Sequence, residues 1–447
     1  MTLPLFLGLF LYKRMEMWYT ILKEKQVRVK FVENKYTADI AIIGGGASGL
    51  AAAISALECD ASLRIIIAER LQRTGKKILA TGNGRCNLGN RKITRENYRS
   101  SVANFLDIIR HTPSAEEFFG GLEVLCTSDE QGRVYPYSNS AATVLNALRL
   151  RLKMLGGEEL CGFDVKSVDK NGERFLVRSD DGMIECRRVI IAAGGYAAPS
   201  FGTDGSIMRM LREKGYKTSK ICPAVAPLRV KADSIKGLKG VRVKGRIAAA
   251  SGGKILREEC GEIQFTENTI SGICVFNLAY LLSEYEGCLT LRADLAPEFS
   301  VKKLEEYLFG VQAMRYELPL EELLTGMFSK NLAVYLVKRA LGRPLTDAIS
   351  TLKYGEICRL AQTIKSLEFE VSGASSWQNA QVTAGGIHGS CVDVCLESKI
   401  DKGLYIAGEI LDIDGDCGGY NLEWAWSSGI AAGRNCAASL KKGDKNG

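Results

Sequence analysis

The sequence predicts an α/β protein: a Rossmann-type nucleotide-binding domain interrupted by a β-barrel-like insertion and a small helical subdomain. Three observations lead there. Residues 38–70 read as strand, glycine turn, helix and second strand. Two later apolar runs, near 187–195 and 402–409, each end in glycine as buried parallel strands do. Between those two runs lie about 200 residues, most of which have a patterning that cannot belong to a nucleotide-binding fold.

In the first of these segments, "ADIAIIGGGASGLAAAISALECDASLRIIIAER", the apolar run 38–43 is followed by Gly44, Gly46 and Gly49 in G-x-G-x-x-G spacing. Gly44 permits the tight turn, Gly46 lets a pyrophosphate approach the backbone, and Gly49 lets the helix pack on the strand. The pyrophosphate belongs at the helix N-terminus beside Ala47 and Ser48, where free N–H groups and the macrodipole favour negative charge. The second strand, 63–68, ends in Glu69, an acceptor for the adenosine ribose hydroxyls, with Arg70 beside it. An acid there argues against a 2′-phosphate, leaving FAD or NAD.

At 447 residues the chain exceeds what one core serves, so two or three domains are expected. The net charge of +8 is spread along the chain. That reads as a solvated surface, with attraction to an anionic cofactor or to RNA as the alternative. Fourteen cysteines lie singly, with no C-x-x-C pair and only two histidines. This argues against a disulfide framework and against a metal site, and fits a cytoplasmic protein with reduced thiols. The apolar start "MTLPLFLGLFLY" is too short for a transmembrane segment, which needs ~20 residues. Its basic residues follow the apolar run instead of preceding it, unlike a signal peptide. Residues 1–36 therefore read as an extension, with Met15 or Met17 as alternative starts and a peripheral membrane contact as the alternative use.

The later segments separate FAD from NAD by resemblance. "RRVIIAAGGYAAPSFGTDGSIMRML" carries Ala193, Gly194 and Gly195 after a strand, and "KGLYIAGEILDIDGDCGGYNLEWAWSSGIAAGRNCAASL" carries Gly408 and Glu409 before a long helix. This arrangement is similar to that of two-dinucleotide-type FAD-binding Rossmann domains. There the G-[DE] strand approaches the ribityl chain and the last helix points its N-terminus at the flavin. The corresponding residues here are Gly419, Tyr420, Asn421 and Leu422. Together with "GKKILATGNGRCNLGN", "GRVYPYSNSAATVLNAL" and "VTAGGIHGS", the chain from about 38 to 440 resembles the BaiN/YhiN-like bacterial flavoproteins. These are NAD(P)/FAD-dependent, aminoacetone-oxidase-family FAD-binding enzymes. Cys417 departs from the threonine more usual there.

The loop 81–90 raises a question of its own. Cys86 beside Arg85 suggests a thiol of lowered pKa, but no second cysteine lies within the spacing of a dithiol relay. The preferred reading is a backbone clamp: Gly84 and its neighbours permit close approach, Arg85 offers a fork of donors, Asn87 fixes the loop, and Cys86 is a packed thiol of ordinary pKa. Lys76 and Lys77 add charge near the pyrophosphate, and Val165 completes the candidate contacts. For catalysis the candidates are His388, Cys86 and Cys417. A Cys86–Cys417 pair is the minor alternative, and Tyr196, Tyr420, Trp424 and Trp426 flank the flavin or pack the helix.

These readings divide the chain into 1–36, the extension; 37–215, the first part of the FAD-binding domain; 216–299, an antiparallel barrel or sandwich; 300–350, helices; 351–373, the return; and 374–447, the second part. The function expected is an FAD-dependent oxidoreductase exchanging hydride with a small organic substrate. Only one full dinucleotide fingerprint is present, so NAD(P)H visits the flavin as a transient donor or electrons come from another donor. The resemblance implies enone or olefin reduction, or amine oxidation of the aminoacetone type. An FAD-containing tRNA-modifying or RNA-binding protein is the other class, though no basic stripe with interleaved aromatics supports nucleic-acid binding. The sequence leaves the oligomeric state open.

Overall fold

The computed structural model describes residues 34–285 and 287–443. The alternative starts and the apolar N-terminal run lie outside the described residues. Asn34–Tyr36, counted with the extension on sequence grounds, already belong to the first strand and pair with Gly182–Ile184.

That strand, Asn34–Ile43, lies at the centre of a seven-stranded sheet. Ile65–Glu69 pairs with it in parallel on one side, and Glu158–Cys161 lies beyond. On the other side runs Gly182–Ile191, parallel to it, with Leu404–Ile406 parallel again at its end. The direction of progression reverses between the strands ending at Ile43 and Ile191, the switch point at which such sheets bind ligands. Arg174–Arg178 and Ser167–Asn171 complete the sheet in antiparallel fashion. Ile40, Ala41, Ile42 and Ile65–Ile67 are almost wholly inaccessible, as expected of strands covered on both faces.

Two helices lie side by side against this sheet. The first, Ala47–Cys59, is buried from Ser48 to Leu57. The C-terminal helix, Tyr420–Gly443, crosses it at glycines: a Cβ on Gly429 would lie 2.3 Å from the Ser48 carbonyl oxygen, and one on Gly433 would lie 2.3 Å from that of Ala52. Further along, Lys441 Nζ donates to the carbonyl of Cys59. The helices therefore run parallel and in step. Tyr420 precedes Gly429 by nine residues and Ala47 precedes Ser48 by one, so at ~1.5 Å per residue the C-terminal helix begins about 12 Å beyond the start of the first.

The insertion is a barrel and not a sandwich. Six antiparallel strands close it in the order Leu228–Val230, Thr269–Ser271, Lys254–Phe265, Arg242–Ser251, Thr290–Asp294 and Leu367–Ala374, the last pairing back to the first. Closure removes the exposed strand edges a two-sheet arrangement would leave. Helices Val301–Met314, Lys330–Leu341 and Tyr354–Lys365 share one apolar core with the barrel. The helical periodicity of residues 320–342 is interrupted: a short 3-10 turn covers Leu320–Glu322, and the helix starts only after Ser329, whose extended backbone (ψ 149°) caps it. Cys222–Ala224 and Val382–Ala384 form the two-stranded neck joining insertion to sheet.

Glycine-to-alanine substitutions test this packing. Gly433→Ala forces a Cβ onto backbone atoms and is expected to destabilise by about 1–3 kcal/mol. Gly310→Ala, in a helix where a Cβ meets nothing within 4 Å, is expected to stabilise by about 0.5–1 kcal/mol. Denaturant midpoints of the two variants check both signs.

Candidate cofactor and active site

At the switch point each fingerprint glycine has a spatial reason. Gly44 turns the chain at φ +102°, and a Cβ there would lie 2.5 Å from the Ala192 carbonyl oxygen. A Cβ on Gly49 would lie 1.9 Å from the oxygen of Gly44, whereas one on Gly46 would meet no protein atom within 4 Å. The first helix has neither a side-chain cap nor an acidic residue in its first turn. Its N–H groups and dipole thus suit an anionic ligand. Glu69 is buried at the end of its strand and accepts from the N–H of Gly45 (2.8 Å) and of Leu71 (2.9 Å). Burial pushes its carboxyl up, while these two bonds pull it down. A carboxylate has about four acceptor positions, so capacity for ribose hydroxyls remains.

Two of the candidate cations near this end, Arg70 and Lys77, are engaged with protein carboxylates. Arg70 pairs with Asp164 (2.7 Å) and Asp204 (2.8 Å). Lys77 pairs with Glu409 (2.8 Å) and reaches the Ala197 carbonyl. Lys76 is exposed, and Val165 is buried in the main core.

Thr383 joins the two later glycine turns, a role the sequence does not reveal. It is fully buried, and its hydroxyl accepts from the N–H of Tyr196 (2.8 Å) and Ala197 (3.1 Å). Its own N–H donates to Glu409 Oε1 at 3.0 Å. The turn after Ala193, with Gly194 at φ +71°, passes so near that a Cβ on Gly195 would lie 2.4 Å from Thr383 Oγ1. Gly408, at φ +81°, packs on Ser48 and donates its N–H to Ser428 Oγ (2.9 Å). The A-G-G turn, the G-E turn and the first helix therefore meet at one place.

The loop around Cys86 holds the start of the C-terminal helix. Gly82, Asn83, Gly84 and Cys86 all have positive φ. With its amide oriented to match its neighbours, Asn87 accepts from the Gly419 N–H (3.0 Å) and donates to the carbonyls of Gly89 and Val134. Arg85 turns outward, lying 4.8 Å from the Tyr135 ring centroid. Cys86 is fully buried, and burial pushes its thiol up to about 12. Both the lowered pKa suggested by Arg85 and the ordinary pKa of the clamp reading are corrected: desolvation of the thiolate outweighs a charge that points away. Cys86 and Cys417 are both free thiols, so no bond joins them.

The other candidates have structural contacts. Burial pushes the Cys417 thiol up to about 11, and its N–H donates to Asn277 Oδ1 (2.8 Å). His388 caps a short turn, its Nδ1 accepting from the Ser390 N–H (3.1 Å). Asn421 brackets Gly415 with two bonds of 2.8 Å. Tyr420 accepts through its carbonyl from the Tyr98 hydroxyl (2.9 Å), and Leu422 packs on the main core. Trp424 and Trp426 donate to the carbonyls of Gly408 and Leu88, so they serve helix packing.

Two further groups escaped sequence reasoning. Glu423, in the first turn of the C-terminal helix, is buried and accepts from the Ala115 N–H (2.9 Å); burial pushes its carboxyl up to about 7. Asp414 and Asp416 pair with Arg99, and Asp416 also takes both Arg257 Nη atoms at 3.0 and 2.8 Å. "IDGD" shows two acids, but their partners lie 159 or more residues away in the chain.

The sequence model described as the HI0933-like protein Rossmann domain matches residues 38–435. The chain belongs to this family. A 3-dehydro-bile acid delta(4,6)-reductase of Clostridium scindens is 37% identical over 89% of this HI0933-like chain and 98% of its own length. Ribosomal RNA dihydrouridine synthases are more distant: that of Haemophilus influenzae is 25% identical over 92% and 100%, and that of Escherichia coli 26% over 90% and 98%. This HI0933-like protein is an FAD-dependent oxidoreductase. Among the described residues no helix is long and apolar enough to cross a membrane.

Thiol reactivity and pH dependence check this geometry. Native alkylation is expected to label the exposed Cys59, Cys260 and Cys288 and to leave Cys86 unmodified until unfolding; peptide mass spectrometry reads the sites. For Glu423 the folded state keeps a proton that the unfolded chain releases above about 4.5. Its contribution is therefore full below that pH and is lost as pH rises to about 7, by on the order of 1–3 kcal/mol. Unfolding midpoints at both pH values should show a smaller fall in stability for Glu423→Gln than for the parent protein.

Proposed function

We propose that this HI0933-like protein reduces a carbon–carbon double bond conjugated to a carbonyl in a small molecule, with a reduced nicotinamide as electron source. The observation that carries the reading is the 37% identity to the bile acid reductase along nearly its whole length. In that relative's name, a 3-dehydro group beside a delta-4 double bond describes an enone. Bound FAD supplies hydride acceptance and donation at a single ring.

This chain's residues supply the binding and orientation. Gly44, Gly46, Ala47, Ser48 and Gly49 hold the pyrophosphate, and Glu69 the ribose. Ala193–Gly195, Gly408 and Glu409 line the path onward. The C-terminal helix begins about 12 Å past the pyrophosphate end, and its positive end at Gly419–Leu422 favours negative charge on the reduced flavin. At the domain junction Cys222, Val225, Val382, Phe276, Tyr280 and Leu282 form a small apolar cluster with Cys417, a wall suited to an uncharged substrate.

A second reading rests on the two ribosomal relatives. Dihydrouridine formation also saturates a double bond conjugated to a carbonyl, within a uracil ring, so the same chemistry would act on RNA. One experiment tests both. The protein is reduced anaerobically with NADH or NADPH, then mixed with a 3-oxo-delta-4 steroid or with unmodified ribosomal RNA. Flavin absorbance is expected to bleach with a nicotinamide and to return with the steroid. Return with RNA alone favours the second reading, and a flavin that neither nicotinamide bleaches overturns the proposed donor.

A further inference from the structure

The segment that launches the C-terminal helix is held at every residue. Asp416 is held by Arg99 and Arg257, Cys417 by Asn277, Gly418 by Asn90 Nδ2 (2.9 Å) and Gly419 by Asn87. Arg99, Asn90 and Asn87 belong to the nucleotide-binding domain. Arg257 and Asn277 come from the inserted barrel, and Glu259 links them: it accepts from Arg257 Nε (2.8 Å) and from Asn277 Nδ2 (3.2 Å). Asp416, Arg257, Glu259, Asn277 and Cys417 thus close a ring across the domain boundary. The Tyr280 ring lies against both guanidinium groups, 4.2 Å from Arg99 and 5.6 Å from Arg257.

This ring is more than a tie between two bodies, because of what it grips. Its two members from the cofactor domain lie immediately before Gly418–Gly419, where the chain runs through two positive-φ residues into the helix. A dipole acts within about one turn of the helix end, so a small displacement there changes the field on a nearby group. Arg257 is bidentate to Asp416, a geometry a lysine cannot reproduce.

We propose that Arg257 is a positioning residue for the flavin: acting through Asp416 and Cys417, the docked barrel fixes the helix N-terminus that stabilises the reduced cofactor. The inference rests on the reading that this helix end faces the flavin. Barrel docking and flavin potential are then coupled, and loosening the barrel disfavours reduction.

The test uses FAD-loaded full-length protein. Arg257→Met leaves Asp416 paired with Arg99 and Glu259 bonded to Asn277, and Arg257→Lys keeps the charge without the fork. Hydrogen exchange over residues 416–420 is expected to quicken in both variants. The ratio of reduced-FAD to oxidised-FAD affinity is expected to fall about tenfold in Arg257→Met, a shift of about −30 mV for a two-electron couple. Arg257→Lys should shift it less and in the same direction. Lys231→Met, which breaks an exposed pair with Glu370 on the same barrel, should change neither quantity. Unchanged exchange and potential in Arg257→Met overturn the proposal. Faster exchange with an unchanged potential also overturns it, making the ring a structural tie only. Failure of the cofactor reading is recognisable beforehand, since the parent protein would then take up no FAD.

Discussion

Two helices touch through glycine, and much of the site follows from that contact. Gly429 and Gly433 have no Cβ, so the backbone of the C-terminal helix rests directly on the carbonyls of Ser48 and Ala52. The close approach fixes the axial register of the pair as well as its spacing. Register matters because the first helix starts at the glycine turn proposed to hold the pyrophosphate and the second starts a fixed length beyond it. An extended dinucleotide can meet two helix N-termini in succession only if those two starts are offset by a set distance. Any side chain at the crossing would separate the helices and release that offset.

Around this contact the polar groups form junctions instead of isolated pairs. Thr383 serves three backbone and carboxylate partners and draws the turns after Ile191 and Ile406 together. Glu409 answers both Thr383 and Lys77. Such sharing is economical in a low-dielectric interior, where an unpaired polar group is costly and a fully paired network is rigid. The same need explains the left-handed residues from Gly82 to Cys86. Non-glycine residues there are strained in isolation, and they persist because the buried Cys86 and the hydrogen-bonded Asn87 pin the end of the loop.

The proposed substrates, a small enone and a uridine in RNA, share one reactive pattern, a double bond conjugated to a carbonyl. The nucleotide-binding half therefore suits either. Discrimination must come from the inserted barrel, its neck and the junction where Tyr280 and Arg257 meet the cofactor domain. That half contributes no fingerprint glycine, yet two of its side chains reach the segment before the C-terminal helix.

By itself the sequence determined the parts whose physics is local. The glycine spacing, the apolar strands and Glu69 at a strand end can be read in one window because each depends on neighbours a few residues away. The closed barrel was half legible: alternation marked its strands, but closure depends on Leu228–Val230 meeting Leu367–Ala374, which no local pattern encodes. Tertiary structure alone decided the state of the Cys86 thiol, the engagement of Arg70 and Lys77 with protein carboxylates, and the gathering of Thr383, Asp416 and Arg257. Each of these is set by burial or by a partner far away in the chain, and desolvation and ion pairing depend on distance in space.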